Sequence, residues 1–191
     1  MKALKMKLLT ILFLTVSYPA FGASFDKGLD CFNKKDYVCA LNEWEPLSEA
    51  GNTYATGNIG HMYKEGLGVK QDYHKAIKLL REAVMGGNPE AMLNLGFMYQ
   101  KGYGIEQDLF QASLLIQLSA LYDNEVAQFK MGVYYFVGAG VKQDREVAKV
   151  WLKKSCHNGV QDACILLTSV TDLAGDKELL DMLANFTKGM L

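Results

Sequence analysis

A pattern written three times at a fixed offset constrains this chain more than anything else in it. Residues 55–72 read ATGNIGHMYKEGLGVKQD, residues 91–108 read AMLNLGFMYQKGYGIEQD and residues 127–144 read AQFKMGVYYFVGAGVKQD, each 36 residues after the last. Gly60, Gly96 and Gly132 align. So do the pairs Gly66/Gly68, Gly102/Gly104 and Gly138/Gly140, and then Gln71-Asp72, Gln107-Asp108 and Gln143-Asp144. A fixed period of about 20–50 residues marks stacked units, none of which can bury its apolar face alone. The expected fold is therefore all-α, an α-α superhelix (solenoid) with one antiparallel helix pair per 36 residues.

Within a unit, the first helix is expected from about Ala55 to Glu65 and at its two translations. Glycine inside a helix costs about 0.5–1 kcal/mol relative to alanine. Its recurrence at Gly60, Gly96 and Gly132 therefore implies close approach of the partner helix, where Ala76, Ala112 and Ala148 also recur. Tyr63, Tyr99 and Tyr135 follow each glycine by three residues and are expected to fill the space above that contact. The two-glycine turn supplies left-handed residues that end the helix. Asp72, Asp108 and Asp144 are placed to cap the next one. The second helices carry Leu79-Leu80, Leu115-Ile116 and Trp151-Leu152 inward. Gly87 and Gly159 end two of them, and Asp123 takes that place in the middle unit.

The ends differ from the array. Met1 to Gly22 reads as a secretory signal peptide: Lys2, Lys5 and Lys7, then LLTILFLTV, then Ala20-Phe21-Gly22 with cleavage before Ala23. Its apolar run is about half of the roughly 20 residues that span a bilayer, so no stable membrane insertion is expected after cleavage. Phe25 to Ala50 reads as a shorter helical pair. Asp36 is a candidate cap, Leu41, Trp44 and Leu47 lie on one face, and Pro46 is expected to kink or end the helix near Glu45. After Ala163 the pattern decays. A last amphipathic helix is expected from about Asp176, with Leu179, Leu183 and Phe186 on one stripe that caps the array. The units are thus 1–22, 23–54, the repeats 55–90, 91–126 and 127–162, and 163–191.

Export changes how four cysteines read. Cys31 and Cys39 are eight apart, as are Cys156 and Cys164, and no histidine pair completes a zinc pattern. Two disulfides, each stapling neighbouring helices, fit an oxidising compartment better than four buried thiols. Loss of the leader removes three lysines and no acid, taking the net charge from −1 to −4. That balance argues against a nucleic-acid partner, which favours a basic face.

The recurring residues A-x3-[LIM]-G-x2-Y-x2-G-x-G-[VI]-x-Q-D-x3-A resemble the Sel1-like repeat, a relative of the tetratricopeptide repeat, from Ala55 to Asp162. The entry segment GLDCFNKKDYVCALNEWEPLSEAG is similar to the opening helical pair of exported members. Cys156 and Cys164, with Leu167 three residues on, resemble the cysteine pair of the Helicobacter cysteine-rich proteins; the equivalent positions are Val84/Met92 and Ala120/Gln128 in the other repeats. The resemblance implies a periplasmic or secreted scaffold that takes a protein or peptide partner in a concave groove lined by first helices. By the tetratricopeptide alignment the inward sets are Tyr54, Gly57, His61, Lys64 and Glu65, then Glu90, Leu93, Phe97, Gln100 and Lys101, then Val126, Phe129, Val133, Phe136 and Val137. Polarity falls along them. The expected partner-binding residues are His61, Phe97, Lys101, Phe129, Val133 and Phe136, the last three forming an apolar patch unless the C-terminal helix lies over it.

The cysteine-rich kinship implies two alternatives, a β-lactam-binding or β-lactamase-like protein and a secreted host-interaction factor. Ser24-Phe25-Asp26-Lys27 has the Ser-x-x-Lys spacing of a serine β-lactamase, but no Ser-Asp-Asn or Lys-Thr-Gly follows. His61, His74 and His157 are scattered along the chain, so no catalytic metal and no catalytic residue is assigned. No cofactor is expected either: nucleotide loops begin helices, whereas these Gly-x-Gly turns end them.

Overall fold

The computed structural model describes residues 22–172 and 176–189, without the side chains at 179, 180 and 186–189. The expected leader lies outside the described residues except for Gly22, and so do the side chains of Leu179 and Phe186. The described residues form ten helices: α1 (Phe25–Asn33), α2 (Tyr37–Glu49), α3 (Thr53–Glu65), α4 (Tyr73–Met85), α5 (Pro89–Lys101), α6 (Leu109–Leu121), α7 (Glu125–Val137), α8 (Arg145–His157), α9 (Gln161–Asp172) and α10 (Lys177–Gly189). Each helix packs on the next from α1 to α9, which makes a stack of consecutive hairpins, and α10 folds back onto α7.

The repeated Gln-Asp pair explains how each hairpin turns. The first helix stops at Gly66, Gly102 or Gly138, with φ of 73°, 71° and 76°. Side chains disfavour this left-handed region, so glycine holds it at little cost. Gln71, Gln107 and Gln143 then reach back, and each donates its amide to the carbonyl of Lys64, Gln100 or Phe136 at 2.8 Å. The adjacent aspartate opens the second helix: Asp72 accepts from Lys75 N, Asp108 from Gln111 N and Asp144 from Val147 N, at 2.9–3.0 Å. One dipeptide therefore satisfies the end of one helix and the start of the next. The first helices have caps of their own that the repeat pattern did not suggest. Asn52, Asn88 and Asn124 accept from Ala55 N, Ala91 N and Ala127 N. These caps start the helices at Thr53, Pro89 and Glu125, two residues before the expected Ala55 register.

The helical glycines do mark close approach, but the partner differs from the expected alanines. A Cβ at Gly60 would lie 3.0 Å from Leu80, one at Gly96 would lie 2.8 Å from Ile116, and one at Gly132 would lie 2.6 Å from Leu152. An aliphatic side chain of the second helix thus seats in the gap that the missing methyl leaves. Ala76, Ala112 and Ala148 are buried beside it. Tyr63, Tyr99 and Tyr135 each pack against two neighbouring apolar clusters, so they bridge adjacent hairpins. Their rings lie half-buried. The phenol oxygens of Tyr63 and Tyr99 accept from Lys75 at 2.6 Å and Arg81 at 3.1 Å.

Two disulfides hold the ends. Cys31–Cys39 closes α1 on α2 with Cα atoms 5.7 Å apart, and Cys156–Cys164 joins α8 to α9 at 4.8 Å. The first lies within a hairpin, whereas the second fastens the last repeat to the C-terminal cap. Both bonds are the chemistry of an oxidising compartment. Pro46 does not end its helix: α2 runs on to Glu49. The turn after Pro46 is held by packing, with Leu47 in the α1–α3 cluster and Ser48 Oγ 2.7 Å from Thr56 Oγ1. Asp36 caps α2 as expected, accepting from Cys39 N.

Two outcomes follow for stability. Gly132→Ala forces a methyl against Leu152, and overpacking of this kind costs about 1–3 kcal/mol, more than alanine's helix preference returns; urea unfolding will show a lower midpoint. Replacing both Cys156 and Cys164 by serine removes about 2.5 kcal/mol of loop-closure stabilisation. It loosens α9 and α10 first, seen as faster amide exchange there than in α3–α6.

Candidate functional site

Several hydrogen bonds between successive repeats link one first helix to the next. Asn88 Nδ2 donates to Thr53 O at 2.9 Å, and Lys64 Nζ to Asn94 Oδ1 at 2.6 Å. Asn124 Nδ2 donates to Glu90 Oε1 at 2.5 Å. α3 also packs directly on α5. The first helices α3, α5 and α7 are thus drawn together as one face, and the second helices lie behind them.

The centre of that face is Phe97 on α5. The Lys64 ammonium stands 5.2 Å from its ring centroid, and the Lys101 ammonium 5.9 Å. Tyr103 meets Phe97 edge-on at 6.0 Å and stacks on Tyr73 at 5.1 Å. Lys64 is buried, held by Asn94 and by Glu65 at 3.0 Å. Lys130 on α7 is half-buried. Burial, and then the nearby Lys101 charge, pull its ammonium below the usual lysine range. Two lysines therefore stand over one aromatic ring, and Lys101 also repels Lys130 across a partly desolvated surface. An anion set between Lys101 and Lys130 relieves that repulsion.

His61 on α3 borders this group. Burial, followed by the Lys64 charge, pushes its imidazole below the ordinary histidine value. Its Nδ1 is buried without a hydrogen-bond partner. Its ring sits 6.2 Å from Phe32 of the entry hairpin. At the opposite end of the helices the face turns acidic. Burial, then Glu125, raise the Glu90 carboxyl, and Asn124 partly offsets this.

The six residues expected to bind a partner do not form one surface. His61, Phe97 and Lys101 lie together around Lys64. Phe129 is half-buried on α7. Val133 and Phe136 are buried, and Phe136 packs against Val170 of α9 and Ala184 of α10. The C-terminal helices cover that end of the groove, and Arg145 of α8 pairs with Asp181 to hold α10 there. Of the apolar patch that the third repeat presents in sequence, Val133 and Phe136 are thus core and Phe129 stays half-buried. Asn94 and Lys130 escaped the sequence reading, because they share a position where the repeats read Asn58, Asn94 and Lys130.

Ser24 and Lys27 are both committed to the entry hairpin. Ser24 Oγ accepts from Lys27 N at 3.3 Å as the α1 cap, and Ser24 N donates to Glu43 at 2.9 Å. Lys27 Nζ pairs with Glu43 at 2.5 Å, and this contact with the Ser24 amide holds the Glu43 carboxyl below its usual range.

Helix pairs stacked at a fixed period define a helical-repeat scaffold, a fold suited to protein–protein interaction. The chain belongs to the Sel1 repeat family, whose pattern matches residues 53–88, 89–120 and 126–160. It is similar to a Sel1 repeat protein from Oxalobacter formigenes, at 32% identity over 68% of this chain and 97% of that one, with a TM-score of 0.62. It is also similar to c5321, a protective antigen of uropathogenic Escherichia coli strains displaying an SLR fold, at 31% identity and a TM-score of 0.72. That likeness covers 81% of this chain but 34% of the antigen, so this chain spans about a third of its length. Helicobacter pylori cysteine rich protein B shares the fold at 21% identity, over 76% of this chain and 98% of that one, with a TM-score of 0.50. No curated protein matches the sequence. Among the described residues no helix is long and apolar enough to cross a membrane.

The depressed His61 sets a pH dependence. A base whose folded value lies below its unfolded value of about 6.5 is neutral in the fold. Its contribution is intact above that value and is lost as pH falls through the folded value. His61→Phe, which installs the residue that Phe97 supplies one repeat later, removes this loss and one unsatisfied nitrogen. The variant is expected to be more stable at pH 7 by up to about 1 kcal/mol. The gap widens toward pH 5, as measured by urea unfolding at both pH values.

Proposed function

We propose that this protein is an exported Sel1-repeat scaffold that binds an acidic segment of a partner protein on its inner face. The observation that carries this reading is the Phe97 ring with the Lys64 and Lys101 ammonium groups set over it at 5.2 and 5.9 Å. A carboxylate side chain of the partner meets Lys101 and Lys130, and an apolar neighbour lies on Phe97. His61 and Phe129 flank the segment. Val133 and Phe136 play no part while α9 and α10 are docked. Export is supported by the two disulfides and by the basic and then apolar start of the chain.

The test is a peptide-display selection against the disulfide-bonded protein, followed by titration calorimetry of the enriched peptides. Peptides pairing acidic with apolar residues are expected. Phe97→Ala and Lys101→Glu should each weaken them about tenfold, or roughly 1.4 kcal/mol, with unchanged circular dichroism. Selected peptides that carry no acid, or that bind both variants as tightly as the parent, would sink the proposal.

A further inference from the structure

The second helix of the middle repeat, α6, reads LFQASLLIQLSAL and carries no charged residue. Its inward side is core, with Ala112, Ile116 and Ala120 buried. Its outward side is apolar as well: Phe110 is 60% exposed, Leu114 44%, Leu118 40% and Leu121 61%. These residues sit on one stripe at helical spacing, and exposed Tyr122 continues it. A helix that is apolar all round is ordinarily buried all round.

The repeats themselves supply the control. Where α6 has Phe110, Leu114 and Leu118, α4 has His74, Lys78 and Glu82, and α8 has Glu146, Val150 and Lys154. The fold accepts polar and charged residues at these positions, so nothing in the hairpin's own packing requires apolar ones. On either side of the stripe the outer helices are basic, with Lys78 and Arg81 on α4 and Lys153 and Lys154 on α8, all exposed.

We propose that this outer face docks on an anionic lipid surface. Phe110, Leu114, Leu118 and Leu121 enter the boundary between headgroups and acyl chains, and the flanking cations meet lipid phosphates. Charge decides against a second copy of the chain, since pairing two such faces sets basic flank against basic flank. Shape and chemistry decide against a protein helix. The stripe lies behind the first-helix face, on the middle one of three second helices, and a protein interface needs about one hydrogen bond per 100–200 Å². Outward on α6 only the amides of Gln111 and Gln117 remain to make them.

The experiment is co-sedimentation of the disulfide-bonded protein with vesicles of phosphatidylglycerol and phosphatidylethanolamine, and with vesicles of phosphatidylcholine alone. The protein is expected to bind the anionic vesicles at least about tenfold more tightly, and less so in high salt. The triple variant Phe110→His, Leu114→Lys, Leu118→Glu, which installs the α4 residues, should lose about tenfold or more with an unchanged melting curve. Lys78→Ala with Lys153→Ala should weaken only the salt-sensitive part. Phe97→Ala, on the other face, should leave vesicle binding unchanged whatever becomes of its peptide binding. Equal binding to both vesicle types, equal binding by parent and triple variant, or a dimer by light scattering that the triple variant abolishes while vesicles bind neither, would each overturn the proposal.

Discussion

Each of the three repeat hairpins closes on one contact, an aliphatic side chain of the second helix seated against bare backbone of the first. Leu80, Ile116 and Leu152 fill the places that a methyl would occupy at Gly60, Gly96 and Gly132. Close approach fixes the distance between the two axes. It also leaves room at the rim for a tyrosine wide enough to touch the next hairpin. Tyr63, Tyr99 and Tyr135 therefore lie half within their own unit and half between units. Intra-unit packing and inter-unit stacking are two parts of one geometry, which is why glycine and tyrosine recur together.

An array of this kind has exposed ends, and this chain deals with them in two ways. At the start, Cys31–Cys39 ties a short hairpin whose interior is aromatic: Trp44 lies under Gly28 and between Phe25 and Phe32. Trp44 Nε1 donates to Phe25 O at 3.2 Å, so the buried indole is satisfied. At the finish, Cys156–Cys164 fastens α9 to the last repeat, and α10 turns back across α7. The return of α10 covers Phe136 on α7 and leaves Phe97 on α5 half-buried.

The positions that repeat and the positions that vary have different work. Repeating positions face neighbouring helices, where a change of one methyl is felt. Varying positions are of two kinds: some are buried, as at Lys64/Gln100/Phe136 and Thr56/Met92/Gln128, and others lie on the surface of the array. There the middle repeat stands apart twice, with Phe97 between lysines on the inner face and an uncharged α6 on the outer one. The middle repeat keeps its packing residues while its surface departs from its neighbours on both faces.

The sequence by itself determined the helical hairpin, its period, the caps at Asp72, Asp108 and Asp144 and the cysteine pairing, because each rests on residues within about one turn or one loop of each other. Pro46 shows the limit of such local reading: packing of Leu47 and Ser48 carries α2 through it. The proposed binding face was legible only in part. His61, Phe97 and Lys101 could be named from position along a helix, but Asn94 and Lys130 join them through contacts between helices of different repeats. The tertiary structure alone decided that Val133 and Phe136 are core, and the elements that cover Phe136 come from the far end of the chain. Periodicity states which way a side chain points, and what stands opposite it depends on where the rest of the chain folds back.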